Sequence, residues 1–487
     1  MTKKRKMFFI VLSIIFLLLL VVCMKAFFFF NAKPNIAVNY VKLINKITRP
    51  QNYDPCDNAF FDYEQASALA IDMPEITQNF RSMPIARWPS WPGDMNEVQL
   101  KATKDWLSAN KQAFEYFEEG SKKPHYWQEM PEEKTRTWEI IFPPISNYRL
   151  LSIALCSRAK IDALEGQTGK AFDETIACFE AGNHLIKSRR GLEQMVGQAI
   201  LNLSFNTIFE ILYNTKPKVQ DLARLQNQLE EKMDKNLTFD FELDKIIIND
   251  FIQHIFSDDG KGNGHLIHQE AERIWEKSYI IQPQKHSFGD FLDAIFSRRA
   301  KTPDNETRPF FKRAIKGPDR KQTMEKFDEI FKNLDEFQQM TPWQLHNKGI
   351  DPEQQSRDKI NSDWLIRDIG GFLIYYPIEL FKRSEAEQSA VITTIALLRF
   401  KSDKGDYPDN LNELIQSGYV KQLPQDPYKD GPLTYKKVGD DFTLYSLGPD
   451  FDDDGGQMTS GIRSLGWWGN EGDTAFWPVK TKDAKKE

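Results

Sequence analysis

Hydrophobic and polar positions change rhythm several times along the chain, and the first change is the sharpest. From Met7 to Met24, "MFFIVLSIIFLLLLVVCM" runs without a charge. As a helix these residues extend about 27 Å, close to the thickness of a bilayer's hydrocarbon core. Lys3, Lys4, Arg5 and Lys6 precede the run, and Lys25 with "AFFFF" follows it. Such flanks suit the two membrane interfaces, with the basic end inside. The pattern predicts one transmembrane helix within residues 1–30 and the rest of the chain outside. A cleavable signal peptide fits less well, because the apolar core is long and Ala32, the nearest small residue, has Phe30 two positions before it. A lipoprotein site at Cys23 is disfavoured by Val22 before it.

Residues 31–145 carry weaker signals. Asn31 to about Tyr53 reads as a continued or stalk helix, and Asn96 to Glu119 is the clearest helix among proline- and tryptophan-rich turns such as "RWPSWPGD" and "IIFPP". From Asn147 a 3.6-residue period takes over. Leu151, Ala154, Leu155, Arg158, Ala159 and Ala163 share one face, "EGQTGK" turns the chain, and Ala171, Thr175, Cys178 and Phe179 mark the next helix. This pair resembles a tetratricopeptide-type helix pair, and looser neighbours follow at Gly191–Tyr213, Val219–Asp234 and Phe241–Phe256. The expectation for 146–384 is therefore an α-helical, repeat-like domain of stacked helices. Polar stretches such as "DDGKGNGH" and "RRAKTPDNETRP" interrupt it between Ser257 and Pro318, and Met324, Phe327, Phe331, Leu334 and Phe337 form a further amphipathic face.

The period shifts again in 385–487. A helix from Glu385 to about Lys401 presents Val391, Ile395 and Leu398, and a short second helix begins in "DYPDNLNEL". "LPQDPYKDG" is a proline-locked turn, and "PLTYKKV" and "DFTLYSLG" alternate as two strands joined by "GDD". The fold class expected is mainly α with a small C-terminal α+β domain.

Composition removes several functions. With 487 residues, 40% of them apolar, the chain can bury real cores. A net charge of −6 and the lack of a basic stripe argue against nucleic-acid binding. Cys23 falls in the membrane helix, leaving Cys56, Cys156 and Cys178; the last two sit in consecutive helices, either as a disulfide or as two buried thiols. His265, His268 and Glu270, with His254 upstream, do not form H-E-x-x-H and read as a solvated helix start rather than a metal site. No nucleophile elbow, phosphate loop or dinucleotide fingerprint occurs, so no catalytic residue is assigned. The rival class is an envelope hydrolase with its site in a helical cleft.

The densest chemistry lies in "TLYSLGPDFDDDGG", Thr443 to Gly456. Asp450, Asp452 and Asp454 followed by Gly455 match the first half of an EF-hand loop, yet position 12 would be Gly461 instead of glutamate. The alternative is a solvated acidic turn. Around this stretch the order of motifs, namely Gly405, Tyr407, Pro408, Leu411 and Leu414, then Pro424, Asp426 and Pro427, Leu433 and Tyr435, and Tyr445, Ser446, Gly448 and Asp450, resembles the globular domain of the type II secretion G-type (major) pseudopilins. The resemblance covers about Glu385 to Pro478. It implies a bacterial inner-membrane protein with a cytoplasmic N-terminus and a domain locked by one Ca²⁺, whose ligands here would be Leu447 through its carbonyl, Asp450, Asp452, Asp454 and, in "GDTAFWP", Asp473. The anchor has neither the leader glycine nor the glutamate that pseudopilin assembly requires. The function expected is accordingly scaffolding or protein binding at the envelope, with an unidentified protein partner.

Overall fold

The computed structural model of the protein describes residues 3–72, 91–133, 136–139, 145–233, 237–277, 318–370, 375–457, 468 and 472–478. The expected turns "IIFPP" and "RRAKTPDNETRP", and the first four residues of "RWPSWPGD", lie outside the described residues. Among the described residues are seventeen α-helices and one three-stranded antiparallel sheet.

Helix α1, Lys3–Phe30, has no polar stripe, and its span from Ile10 to Phe30 is long and apolar enough to cross a membrane. None of that span is buried in the fold. At its end the Asn31 side chain and backbone N–H both donate to the Phe27 carbonyl, at 2.8 and 3.0 Å. The chain does not continue as a stalk helix. Pro34 removes a backbone donor, and Gln253 grips the Val38 backbone instead, accepting from its N–H at 3.3 Å and donating to its carbonyl at 2.9 Å. Helix α2, Tyr40–Thr48, starts only at Asn39, whose side chain caps Lys42 N–H at 3.0 Å.

Helices α3, Ala59–Leu69, α4, Glu97–Ala109, and α5, Lys111–Ser121, follow. The single helix expected over Asn96–Glu119 is broken at Asn110. Its side chain accepts from Ile71 N–H at 2.8 Å and donates to the Trp106 carbonyl at 3.0 Å. A buried asparagine offers the backbone partners that compete with the helical ladder, and here that competition wins.

Helices α6, Ile145–Leu164, α7, Thr168–Lys187, α8, Gly191–Asn214, and α9, Val219–Lys232, run consecutively through short turns and pack on their neighbours. Beyond them lie α10, Glu242–Ile255, α11, His268–Lys277, α12, Arg320–Gln338, α13, Pro342–Asn347, α14, Pro352–Asn361, and α15, Trp364–Gly370. The long α16, Tyr376–Lys404, contains residue 385, the expected start of the C-terminal segment, and packs on α8, α9 and the sheet. After α17, Asn412–Gln416, strands β1, Thr434–Val438, and β2, Asp441–Ser446, form the anticipated hairpin, with Thr434 opposite Tyr445. Strand β3, Thr474–Trp477, pairs with the other edge of β2.

The sheet shares its core with the helices. Phe209 of α8 stacks on Phe476 at 6.0 Å, Tyr213 meets Trp477 at 5.4 Å, and Phe442 stacks on Trp477 at 5.3 Å. Helices α7 and α8 approach most closely through two glycines. A Cβ built on Gly197 would lie 2.5 Å from the Gly182 carbonyl and 2.9 Å from the Ile186 nitrogen. These are backbone atoms and cannot swing aside. Gly197→Ala is therefore expected to destabilise the chain by about 2 kcal/mol in urea unfolding, because overpacking against backbone, at the upper end of about 1–3 kcal/mol, exceeds the helix-propensity gain of about 1 kcal/mol. An unchanged or raised unfolding midpoint would contradict this packing.

Candidate metal site

Strand β2 ends at Ser446, and the acidic stretch turns back onto the start of β3. Gly448 makes the turn possible: its φ is +78°, and a Cβ there would sit 2.9 Å from the Gly472 carbonyl. Two aspartates far apart in sequence then clasp each other's backbone. Gly472 N–H donates to Asp450 Oδ2, and Gly456 N–H donates to Asp473 Oδ2 at 2.6 Å. Asp473 N–H also donates to the Gln457 carbonyl at 3.1 Å.

Phe451, in the middle of the acidic run, has φ of +64°. That left-handed conformation costs a bulky residue about 1–2 kcal/mol. Packing offsets it: the Phe451 ring lies 4.3 Å from His346, 6.0 Å from Trp343 and 6.1 Å from Tyr428. On either side of Phe451, Asp450 is half-buried against the Gly472 backbone and Asp452 is exposed.

The five residues singled out in the sequence occupy different surroundings. Leu447 is half-buried at the exit of β2. Asp450 is half-buried, while Asp452 and Asp454 are exposed. Asp473 is buried at 2% exposure, and its Oδ1 has no hydrogen-bond partner. Burial, reinforced by Asp453, Asp454 and Asp450 nearby, pushes the Asp473 carboxyl up to about 6. The loop thus brings Asp450, Asp454 and Asp473 into one neighbourhood.

Asp453 and Asp426 were not singled out as site residues. Asp453 accepts from the Tyr445 hydroxyl at 2.7 Å, and this bond holds its carboxyl below the usual range. Its signal was the alternation of β2, which points Tyr445 toward the loop. Asp426 accepts from Tyr428 N–H at 3.0 Å and Ser446 Oγ at 2.8 Å, tying the proline turn to the end of β2. Burial pushes it up to about 6 and leaves its Oδ2 unpartnered.

Among the described residues, no group of three or more His, Cys, Asp or Glu side chains is arranged to hold a metal ion. Calcium does not require such a group, since backbone carbonyls and water supply part of its six to eight oxygens. The orphaned, buried Asp473 oxygen beside further carboxylates has the chemistry a hard cation takes. The histidines are separate: His265 stacks on Phe29 at 3.9 Å and its Nε2 contacts the Phe29 carbonyl at 2.9 Å, His254 is buried beside Asp250, and His268 faces Glu272 along α11.

Compared with protein-family models, with curated proteins and with solved structures, the chain matches none.

The raised Asp473 carboxyl fixes the sign of a pH effect. Its folded-state value lies above the ordinary 3.8, so the stability it contributes is complete below about pH 4 and is lost as pH rises through about 6. With chelator present, Asp473→Asn should therefore melt higher than the parent chain at pH 7.5 and equal to it at pH 4. A variant that melts lower at pH 7.5 under chelator would contradict the unpartnered state of Oδ1.

Proposed function

We propose that the chain is a single-pass protein of a bacterial inner membrane, N-terminus in the cytoplasm and bulk outside, that scaffolds or binds proteins in association with type II secretion. Its C-terminal segment is of the G-type pseudopilin kind and is stabilised by one Ca²⁺. Asp450, Asp452, Asp454 and Asp473, with the Leu447 carbonyl, would hold the ion. The observation that carries this reading is the Asp473 Oδ1 atom, buried without a partner in a loop rich in carboxylates.

The unburied apolar α1 supports the membrane assignment. The packing of α6 on α7 and of α7 on α8, with α9 against α7, supports a tetratricopeptide-like stack, an architecture suited to protein binding. A shallow groove of about 730 Å³ between α17 and β1 offers a binding surface, lined by Asn412, Gln422, Gln425, Leu423, Leu433 and Tyr435 among others. None of the buried carboxylates with raised values lines it. Glu174, pushed up to about 8 by burial, lies instead inside the helical body, with Arg158 at 2.8 Å, Lys170 and Asp162 around it. That is the environment of an internal ion network rather than of a hydrolase cleft.

Millimolar Ca²⁺ is expected to raise the Tm of the full chain in detergent relative to chelator, with Mg²⁺ giving little effect. Asp450→Ala and Asp473→Asn should each abolish the Ca²⁺ increment. Coincident melting curves with calcium and chelator would remove the ion from the reading. Crosslinking in intact cells followed by mass spectrometry tests the scaffold: components of the secretion apparatus are expected, and recovery of the chain alone would defeat that role.

A further inference from the structure

Cys156 of α6 and Cys178 of α7 are both fully buried in the core between these helices. Their side chains meet. The Cys178 Sγ donates to the Ser152 carbonyl at 3.5 Å, the oxygen one helical turn before Cys156, and both free thiols belong to one packed cluster. The interface is built for close approach, with Ala154, Ala159, Ala177 and Ala181 on the facing helices. Small residues let two helix axes come nearer than the usual 8–10 Å, toward the Cα separation of about 4.4–6.8 Å that a disulfide needs. Against burial, which raises it, Cys178, Thr207 and Lys160 hold the Cys156 thiol below its ordinary value, while burial and Cys156 push the Cys178 thiol well up.

We propose that Cys156 and Cys178 close a disulfide that staples α6 to α7 as the chain matures outside the cytoplasm. The inference rests on the exported reading given above, since thiols persist in reducing compartments. The bond forms by thiolate attack on the disulfide of a thiol–disulfide oxidoreductase, giving a mixed disulfide that the second thiolate resolves. Two thiols lose two protons and two electrons, and the oxidant's disulfide becomes a dithiol. Because both sulfurs are enclosed in the folded chain, the step belongs to folding, before α8 covers them. The staple closes a short segment containing one turn, so it fixes the helical pair against which α8 packs.

Thiol counting on the full chain tests this. Chain extracted from membranes under acid quench, denatured, and alkylated with maleimide-polyethylene glycol should take two labels, on Cys23 and Cys56, and four after dithiothreitol. Cys156→Ser and Cys178→Ser should each take three labels with or without reductant. A non-reducing digest should contain one crosslinked peptide joining positions 156 and 178. In parallel, reduced chain is refolded in detergent with a glutathione redox buffer. Closure both in cells and in the buffer supports the staple. Closure in the buffer alone supports the staple and overturns the exported reading. Four labels under both conditions, or a crosslink through Cys56, overturn the staple.

Discussion

The requirement to enclose α8 organises the molecule. Its Val196, Ile200, Leu201, Phe205, Ile208, Phe209, Ile211 and Leu212 point in all directions and all are buried. A helix apolar on every face either crosses a membrane or lies at the centre of a fold. Like α1, α8 is long and apolar enough to cross a membrane, but most of it is buried, so it takes the second course. Each enclosed Leu, Ile or Phe contributes about 1.5–3 kcal/mol, and it takes α6, α7, α16 and the sheet together to enclose them all. Two of the polar residues that α8 carries into this interior have close partners. Gln194 exchanges two 2.8 Å bonds with the Asp240 backbone, and Glu193 meets Arg190 at 2.9 Å.

The acidic loop inherits its shape from this arrangement. Strand β3, which carries Asp473 at its threshold, is held by Phe476 and Trp477 against Phe209 and Tyr213. On the path between Gln457 and Gly472, Trp468 is buried and donates to Glu387 of α16 at 2.8 Å. The loop's C-terminal side is thus fixed to the two longest buried helices, through Trp468 and β3, and Phe451 packs near its start. A loop held at three points keeps its carboxylates close even though they repel, and the core supplies the stability that such repulsion costs.

The sequence was most legible where a single periodicity ran uninterrupted. Helices α6 to α10, the amphipathic α12 and the β1–β2 hairpin follow from the spacing of residues such as Leu151, Leu155 and Ala159, or Tyr435 and Phe442. It was least legible where one polar side chain overrode local preference. Asn110 breaks a helix because Ile71, distant in sequence, offers it backbone partners, and Gln253 holds the Val38 backbone in an extended path. No window of neighbouring residues contains those partners. At the acidic loop, composition singled out the stretch but not the different contacts its carboxylates make. The Asp453 bond to Tyr445 depends on which way β2 faces, and the burial of Asp473 depends on the pairing of β3 with β2.

How the chain treats its other buried acids gives the physical reason for assigning a cation to this loop. Inside the helical body, acids have basic partners: Glu174 has Arg158 and Lys170, Glu210 has Lys160, and Glu379 has Arg383. Asp244 is an exception, and burial pushes it up to about 8, so it can remain neutral as a single acid at no further cost. Protonation cannot serve the loop in the same way. Asp452 and Asp454 are exposed, and Asp453, Asp454 and Asp450 each raise the cost of ionising the buried Asp473. Two lysines act on Asp453: Lys436, which lies over the Tyr445 ring at 5.2 Å, and Lys429, which donates to Thr434 at 2.8 Å. Two ammonium groups do not balance the carboxylates of Asp450, Asp452, Asp453, Asp454 and Asp473. A divalent ion taken from the surroundings would balance them, and its oxygen-seeking chemistry matches what the loop offers.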